Sequence, residues 1–378
     1  LHYIILFGDL NYMKRVLFFL GSARCFHTID WYESAQENFN KPVNFVTDMV
    51  EGEGFECLVH DENNLIKLLI IDNFLLNNYG GIGHLLRNII KVLVVPIQIF
   101  LVKRRIGSSK KNITFAHSTY YAFLASLAGI QYVSTPQGSE VLVRIENSVL
   151  YKFFAHIAHK NAILITVDSL AMKMKLKELL NLDSEVVQNG IPIDFLKSIS
   201  EKPVGQRNDD LLSIRGIAEN YQVLEIIDCC SESKNLPLLQ LCCPFYDEDY
   251  FVKVQNKVLQ TGVIIHGKLN RKDFYQCLLR TKIAISIPIS DSSPRSVYEA
   301  IYCGCIVIVR YNQYLEDLPA CMLERIVVTD CAGDWFDVAY EKALEKCKTP
   351  FYPTLNADEM YDQKLSFPRV LDSLFTII

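Results

Sequence analysis

Short apolar runs alternate with segments of helical period along nearly the whole chain, and the alternation occurs twice. In the first series Val16–Leu20, Val43–Val46, Lys67–Ile71, Asn112–Ala116, Tyr132–Thr135, Ala162–Val167 and Glu185–Gln188 read as strands. Helices are expected near His27–Asn38, Tyr120–Ala128, Val149–His159 and Leu170–Leu180. In the second series the strands are Leu211–Ile214, Pro237–Leu241, Val263–His266, Ile283–Ile287, Ile306–Val309 and Ile326–Val328. Helices lie between and after them, near Tyr221–Ser231, Glu248–Leu259, Lys272–Arg280, Pro294–Cys303 and Trp335–Cys347. Strands alternating with helices predict parallel sheets covered on both faces. A polar stretch from Ser198 to Asp210 is the expected linker. It separates a domain over 13–197 from a second over 198–356, with a tail at 357–378.

The densest chemistry lies between Ile283 and Val309. This segment reads as a buried strand, a polar loop, a helix and a second buried strand. Ser293 can cap the helix, and Pro294 suits its first position because the missing N–H would have been unpaired there. The helix dipole and outward amides at Ser292–Ser296 offer a phosphate site. Asp291 precedes the loop, and Glu299 follows about one and a half turns into the helix. Phosphate binding beside two carboxylates suits a ligand with both phosphates and hydroxyls, such as a nucleotide sugar. An ordinary capped helix in a βαβ unit is the other reading.

Asp291, seven intervening residues and Glu299, followed by Ala300 and Gly304, resemble the E-x(7)-E signature of retaining GT-B glycosyltransferases, especially family 4. The resemblance implies two Rossmann-like doubly wound domains facing across a ligand cleft, with the C-terminal tail a helix that packs back on the first domain. It implies that Asp291 lies by the donor sugar, that Glu299 accepts from the ribose hydroxyls, and that no metal or other cofactor is used. Asp291 stands where the family has Glu, so its reach is one methylene shorter.

Other segments extend the resemblance. Arg215, at the end of the second domain's first strand, fits a guanidinium clamp on a diphosphate. The family's Lys five residues later is Asn220 here, and Lys268 from another strand end is the expected substitute. Arg295 is a further phosphate candidate; for it and for Lys268, plain solvation is the alternative. In the first domain Gly21-Ser22 and His27 resemble the glycine-loop region. Phe115-Ala-His117-Ser with Pro136-Gln137-Gly138-Ser-Glu140 resembles the paired "H-S" and "H-G-S-D/E" motifs. Gln137 replaces a His and cannot take up a proton at neutral pH, which leaves hydrogen bonding to a sugar hydroxyl. Glu140 is expected to orient the acceptor. His117 is read equally well as a satisfied core histidine. Gln188-Asn189-Gly190-Ile-Pro-Ile-Asp194 resembles the family's "N-G-I-D" turn and hinge.

The function that follows is transfer of a sugar from a UDP- or GDP-linked donor to a hydroxyl of a lipid-linked or polysaccharide acceptor. A degenerate subunit that binds without turnover is one rival, and a nucleotide-sugar epimerase is another. The chain's 378 residues suit two domains, and a hydrophobic half supports sizeable cores. A net charge of −5 argues against a general nucleic-acid binder. The 12 cysteines show no C-x-x-C and fit a reducing cytosol. His156 and His159 are expected on a helix surface rather than at zinc. Leu1 to Tyr12 lacks a positive leading region and does not read as a signal peptide; Met13 looks like the natural start, with residues 1–12 a non-native or disordered extension. Leu85 to Lys111 joins an apolar run, broken by Lys91, Pro96 and Gln98, to Lys103-Arg-Arg105 and Lys110-Lys111. It is short for a span. Either a helix lies on an anionic membrane face, or a buried helix ends in solvated charge.

Overall fold

The computed structural model describes residues 15–23, 25–39, 43–49, 58, 64–70, 81–200 and 207–377. The proposed extension over 1–12 lies outside them. Two compact units are present: one runs to Val187 and takes in Ser366–Ile378, and the other is Gln188–Leu365.

The first unit contains β1 (Val16–Leu20), α1 (Phe26–Asn38), β2 (Val43–Thr47), β3 (Leu65–Lys67), α2 (Gly81–Ile106), β4 (Asn112–His117) and α3 (Thr119–Ala128). It continues with β5 (Tyr132–Thr135), α4 (Val149–Lys160), β6 (Leu164–Val167), α5 (Leu170–Leu180) and β7 (Glu185–Val186). Its seven strands are parallel in the order β3-β2-β1-β4-β5-β6-β7. Strand order reverses between β1 and β4, the place where α/β sheets form ligand crevices at their carboxyl ends.

The second unit contains α6 (Ile193–Ser200), β8 (Asn208–Ser213), α7 (Val223–Glu232), β9 (Leu239–Leu241), α8 (Glu248–Val258), β10 (Ile264–Ile265) and α9 (Arg271–Arg280). Then follow β11 (Thr281–Ser286), α10 (Arg295–Tyr302), β12 (Ile306–Arg310), β13 (Ile326–Thr329), α11 (Trp335–Lys346) and α12 (Leu355–Tyr361). Six parallel strands stand in the order β10-β9-β8-β11-β12-β13, reversing between β8 and β11. Residues on the two faces of β11 enter different cores: Ala284 joins Val297 and Ile301, while Ile283 and Ile285 join Trp335 and Phe336. That division is the reason the middle of β11, Ile283–Ile285, is apolar on both faces.

The expected single tail helix is two helices, α12 and α13 (Gln363–Ile377). Phe367, Val370, Leu371 and Leu374 of α13 are buried among Phe19, Trp31 and Phe115 of the first unit. The Phe367 ring meets Phe115 at 5.1 Å, edge to face, an arrangement that adds to area burial.

Several boundaries differ from the sequence reading. The third strand is Leu65–Lys67 rather than a run onward from Lys67. Past it, Leu69 pairs with a side chain: Gln98 on α2 accepts from its N–H at 3.2 Å and donates to its carbonyl at 2.7 Å. Gln98 therefore does not interrupt the helix; it is fully buried to satisfy backbone beyond a strand end. Of the expected linker, 201–206 lie outside the described residues; α6 reaches Ser200 before them and β8 starts at Asn208 after them. Asp209 and Asp210 are matched on neighbouring strands, by Lys282 at 2.7 Å and by Gln240 at 2.7 Å. The helix expected from Tyr221 begins as a 3₁₀ turn, Glu219–Tyr221, before α7. His159 is fully buried rather than on a helix surface, with Ser134 Oγ 2.8 Å from Nδ1 and Thr119 Oγ1 3.3 Å from Nε2. Burial drives its pKa down to about 3, so the ring is neutral.

Gly190 has φ +72°, and a Cβ there would lie 2.6 Å from the Gln363 backbone. Ile191 and Asp362 form a bridge beside it. Gly190→Ala is expected to lower unfolding stability by about 2–4 kcal/mol, the left-handed penalty plus overpacking, measurable by urea denaturation.

Candidate functional site

In the second unit, the carboxyl ends of β8 and β11 and the amino end of α10 bring together most of the residues singled out there. Arg215 leaves β8, and its Nη2 lies 2.8 Å from Asp291 Oδ2, with both side chains nearly buried. That oxygen makes no directed hydrogen bond, so the contact is a charge pair. Arg215 Nη1 donates to Ser296 Oγ at 3.1 Å, and the guanidinium lies 4.8 Å from the Tyr221 ring centroid. Burial pushes the Asp291 carboxyl above its ordinary range; Arg215 and the Ser292 N–H oppose the shift without cancelling it.

Two asparagines brace the loop. Asn220 donates to the Ser290 carbonyl at 3.1 Å and accepts from the Ser290 N–H at 3.2 Å. Asn312 accepts from the Asp291 N–H at 3.0 Å and donates to the Pro288 carbonyl at 3.1 Å. The side chain at 220 thus holds the approach to Asp291 in shape. Sequence reading treated it only as a missing lysine, and these pairings lie about 70 and 20 residues apart in the chain, beyond any local pattern.

Ser293 does not cap α10. Pro294 is the N-cap residue, without a side-chain cap bond, and Ser293 Oγ instead donates to Gln188 Oε1 at 2.6 Å. The reason is position: the helix begins at Arg295, which puts Ser293 one residue before the N-cap. Arg295 Nη2 donates to Gln363 Oε1 at 3.0 Å. Glu299 is buried, accepts from Tyr275 at 2.8 Å, and has Arg271 Nη2 at 3.9 Å; both contacts fall on Oε1. Lys268 lies exposed after β10.

In the first unit, β1, β4 and β5 end in a second cluster. A Cβ on Gly21 would meet the Thr28 methyl at 2.8 Å, so that turn needs glycine for close approach. Ser22 donates to the Met49 sulfur at 3.1 Å. His27 stands with its ring 6.4 Å from that of buried His117. Ser118, next in the chain, has φ 83° and ψ 154°, a region almost reserved for glycine and often found where a site imposes strain. Glu140 is buried, and its Oε2 accepts from the Thr119 N–H, the Thr119 hydroxyl and the Gln137 N–H, all within 3.0 Å. The carboxylate holds the turn containing Gly138 in place and leaves Gln137 exposed. Sequence reasoning missed Cys25, whose Sγ lies 3.2 Å from His117 Nε2.

Among the described residues, no group of His, Cys, Asp and Glu forms a metal site, and no helix is long and apolar enough to cross a membrane. No protein-family profile matches the chain, and no curated protein matches it by sequence. Solved structures do match. Anabaena HepE in complex with UDP and glucose superposes with TM-score 0.68 at 12% identity, covering 96% of this chain and 100% of that one. Sucrose-phosphate synthase from Thermosynechococcus elongatus gives 0.67 at 10% identity, over 96% and 100%. A UDP-forming trehalose-phosphate synthase from Burkholderia xenovorans gives 0.60 at 10% identity, over 95% and 96%. The two parallel-sheet units have the fold of these GT-B glycosyltransferases.

Proposed function

We propose that the protein is a metal-independent glycosyltransferase that moves a sugar from a UDP-linked donor to a hydroxyl of a lipid-linked or polysaccharide acceptor, with retention at the anomeric carbon. The observation that carries this reading is the buried Arg215–Asp291 pair beside the amino end of α10, at the strand-order reversal of the second unit. Similar structures bind UDP and glucose or are named for forming UDP, which favours uridine over guanosine.

Each group has a task. Arg215 and the α10 dipole offset charge that develops on the departing diphosphate, with Lys268 and Arg295 as outer positive charges. Ser292, Ser293, Pro294 and Ser296 line its approach. Asp291 faces the sugar, where a carboxylate stabilises the cationic transition state more than the neutral ground state. Glu299 uses Oε2 for a ribose hydroxyl. In the first unit Gln137 hydrogen-bonds the transferred sugar or acceptor, Glu140 fixes its loop, and Gly21, Ser22, His27, His117 and Gly138 shape the acceptor side. The test is release of UDP from the donor that depends on an added acceptor. Acceptor-independent hydrolysis, or none at all, argues against transfer.

The lipid-linked acceptor fits α2. Val92, Leu93, Ile97 and Phe100 are 71%, 70%, 51% and 61% exposed on one helical face, and Lys103, Arg104 and Arg105 follow. We assign this face to an anionic membrane surface. Changing all three basic residues to Gln should weaken binding to anionic vesicles about a hundredfold in sedimentation, near 1 kcal/mol for each charge lost. Equal binding of wild type to neutral and anionic vesicles would remove the assignment.

A further inference from the structure

Cys25 is the N-cap residue of α1, half-buried, with its carbonyl accepting from Ile29. Its Sγ lies 3.2 Å from His117 Nε2, and Gln137 Nε2 approaches it at 3.8 Å. We propose that Cys25 and His117 form a thiolate–imidazolium pair that makes Cys25 a modification site for low-molecular-weight disulfides. A thiolate at a helix amino end beside a protonated imidazole is the arrangement that activates cysteines.

The surroundings agree. Burial raises the thiol, but the charge and hydrogen bond of His117, with Thr28 beside it, more than offset it and bring Cys25 down to about 7. For His117, burial lowers the pKa; the Cys25 charge and hydrogen bond, then Glu140 and Asp168, raise it past its ordinary value. His27 is a further titratable ring nearby, 6.4 Å from His117 between centroids. Burial drives other cysteines the opposite way, Cys230 and Cys331 to about 11 and Cys305 to about 12. Among the described cysteines, Cys25 alone is drawn down, and it is the thiol poised to react.

In the reaction, Cys25 Sγ⁻ attacks one sulfur of a disulfide RSSR. A Cys25–SR bond forms, the RS–SR bond breaks, and the departing RS⁻ takes the proton from His117 Nε2. The protein thiolate is oxidised to the mixed disulfide, and one equivalent of RSH is released. The added group would stand against Gln137; its effect on acceptor binding rests on the transfer reading, whereas the modification itself does not.

The test exposes the folded protein to oxidised glutathione and follows each cysteine peptide by mass. Cys25 should gain one glutathionyl group about sixfold faster at pH 7 than an ordinary thiol, a fiftyfold gain in thiolate reduced by the weaker nucleophilicity of a lower-pKa sulfur. Its rate should follow a titration with midpoint near 7, and dithiothreitol should reverse it. His117→Asn should slow labelling at pH 7 about fivefold and move the midpoint upward. Labelling of Cys25 no faster than half-buried Cys321, or a wild-type midpoint near that of free cysteine, would overturn the proposal without relying on any variant. Neither outcome depends on turnover, so it is separable from failure of the transfer assay.

Discussion

Asp291→Asn should cut sugar transfer sharply and leave stability less dependent on pH. Both effects come from one poorly solvated carboxylate. Burial outweighs the nearby Arg215 charge, so the carboxyl holds its proton more tightly in the folded state. A raised folded pKa contributes stability that is fully present below the unfolded value near ~3.9 and is lost as pH rises through the folded value. Wild type should therefore lose stability relative to Asp291→Asn across that window, and urea titrations of both proteins at several pH values measure the difference. The Asn side chain can still accept from the Ser292 N–H, which now bonds to Asp291 Oδ1 at 3.0 Å. Transfer should fall about a hundredfold to a thousandfold, as when one preorganised electrostatic contact to a transition state is removed. A variant both stable and inactive separates chemistry from folding; a variant that keeps full turnover would remove Asp291 from the mechanism.

Glu299→Gln should weaken donor binding about tenfold to hundredfold, the worth of a charge-assisted hydrogen bond to a ribose hydroxyl. Glutamine is chosen because its carbonyl can keep the bond from Tyr275 at 2.8 Å, whereas alanine would strand that buried hydroxyl. Calorimetric titration with UDP reads the effect directly. Equal affinity in wild type and variant would show that Glu299 serves only Tyr275 and Arg271.

The parallel sheets were legible because β11 and β12 are covered on both faces, which forces apolar runs such as Ile283–Ile285 and Ile306–Val309. β3 was misplaced because its short run continues into Leu68 and Leu69, and the sequence does not say that Gln98 takes over the pairing there. At the site, local order made Asp291, the loop serines and Glu299 visible, since they share one strand–loop–helix segment. The partners of those residues were not visible. Asn312, Tyr275 and Gln188 reach them from other elements, and no spacing rule links a strand end to a helix about a hundred residues away. Cys25 was passed over for the same reason: a thiol near a turn has no distinction until His117 is brought beside it from β4. Glu140 shows the converse, a residue found by motif whose Oε2 is filled by neighbours in its own unit.

The most direct test of the account is thermal unfolding of wild type and Glu299→Gln with UDP-, GDP-, ADP- and CMP-linked sugars. Binding to the folded state adds about 2.7 kcal/mol at a hundredfold excess over Kd, a rise of roughly 5–10 °C for a unit of this size. The account predicts such a rise with a UDP-sugar in wild type, about half of it or more lost in Glu299→Gln at the same concentration. No rise with any of the four would contradict a nucleotide-sugar site and favour a subunit that binds a partner without turnover.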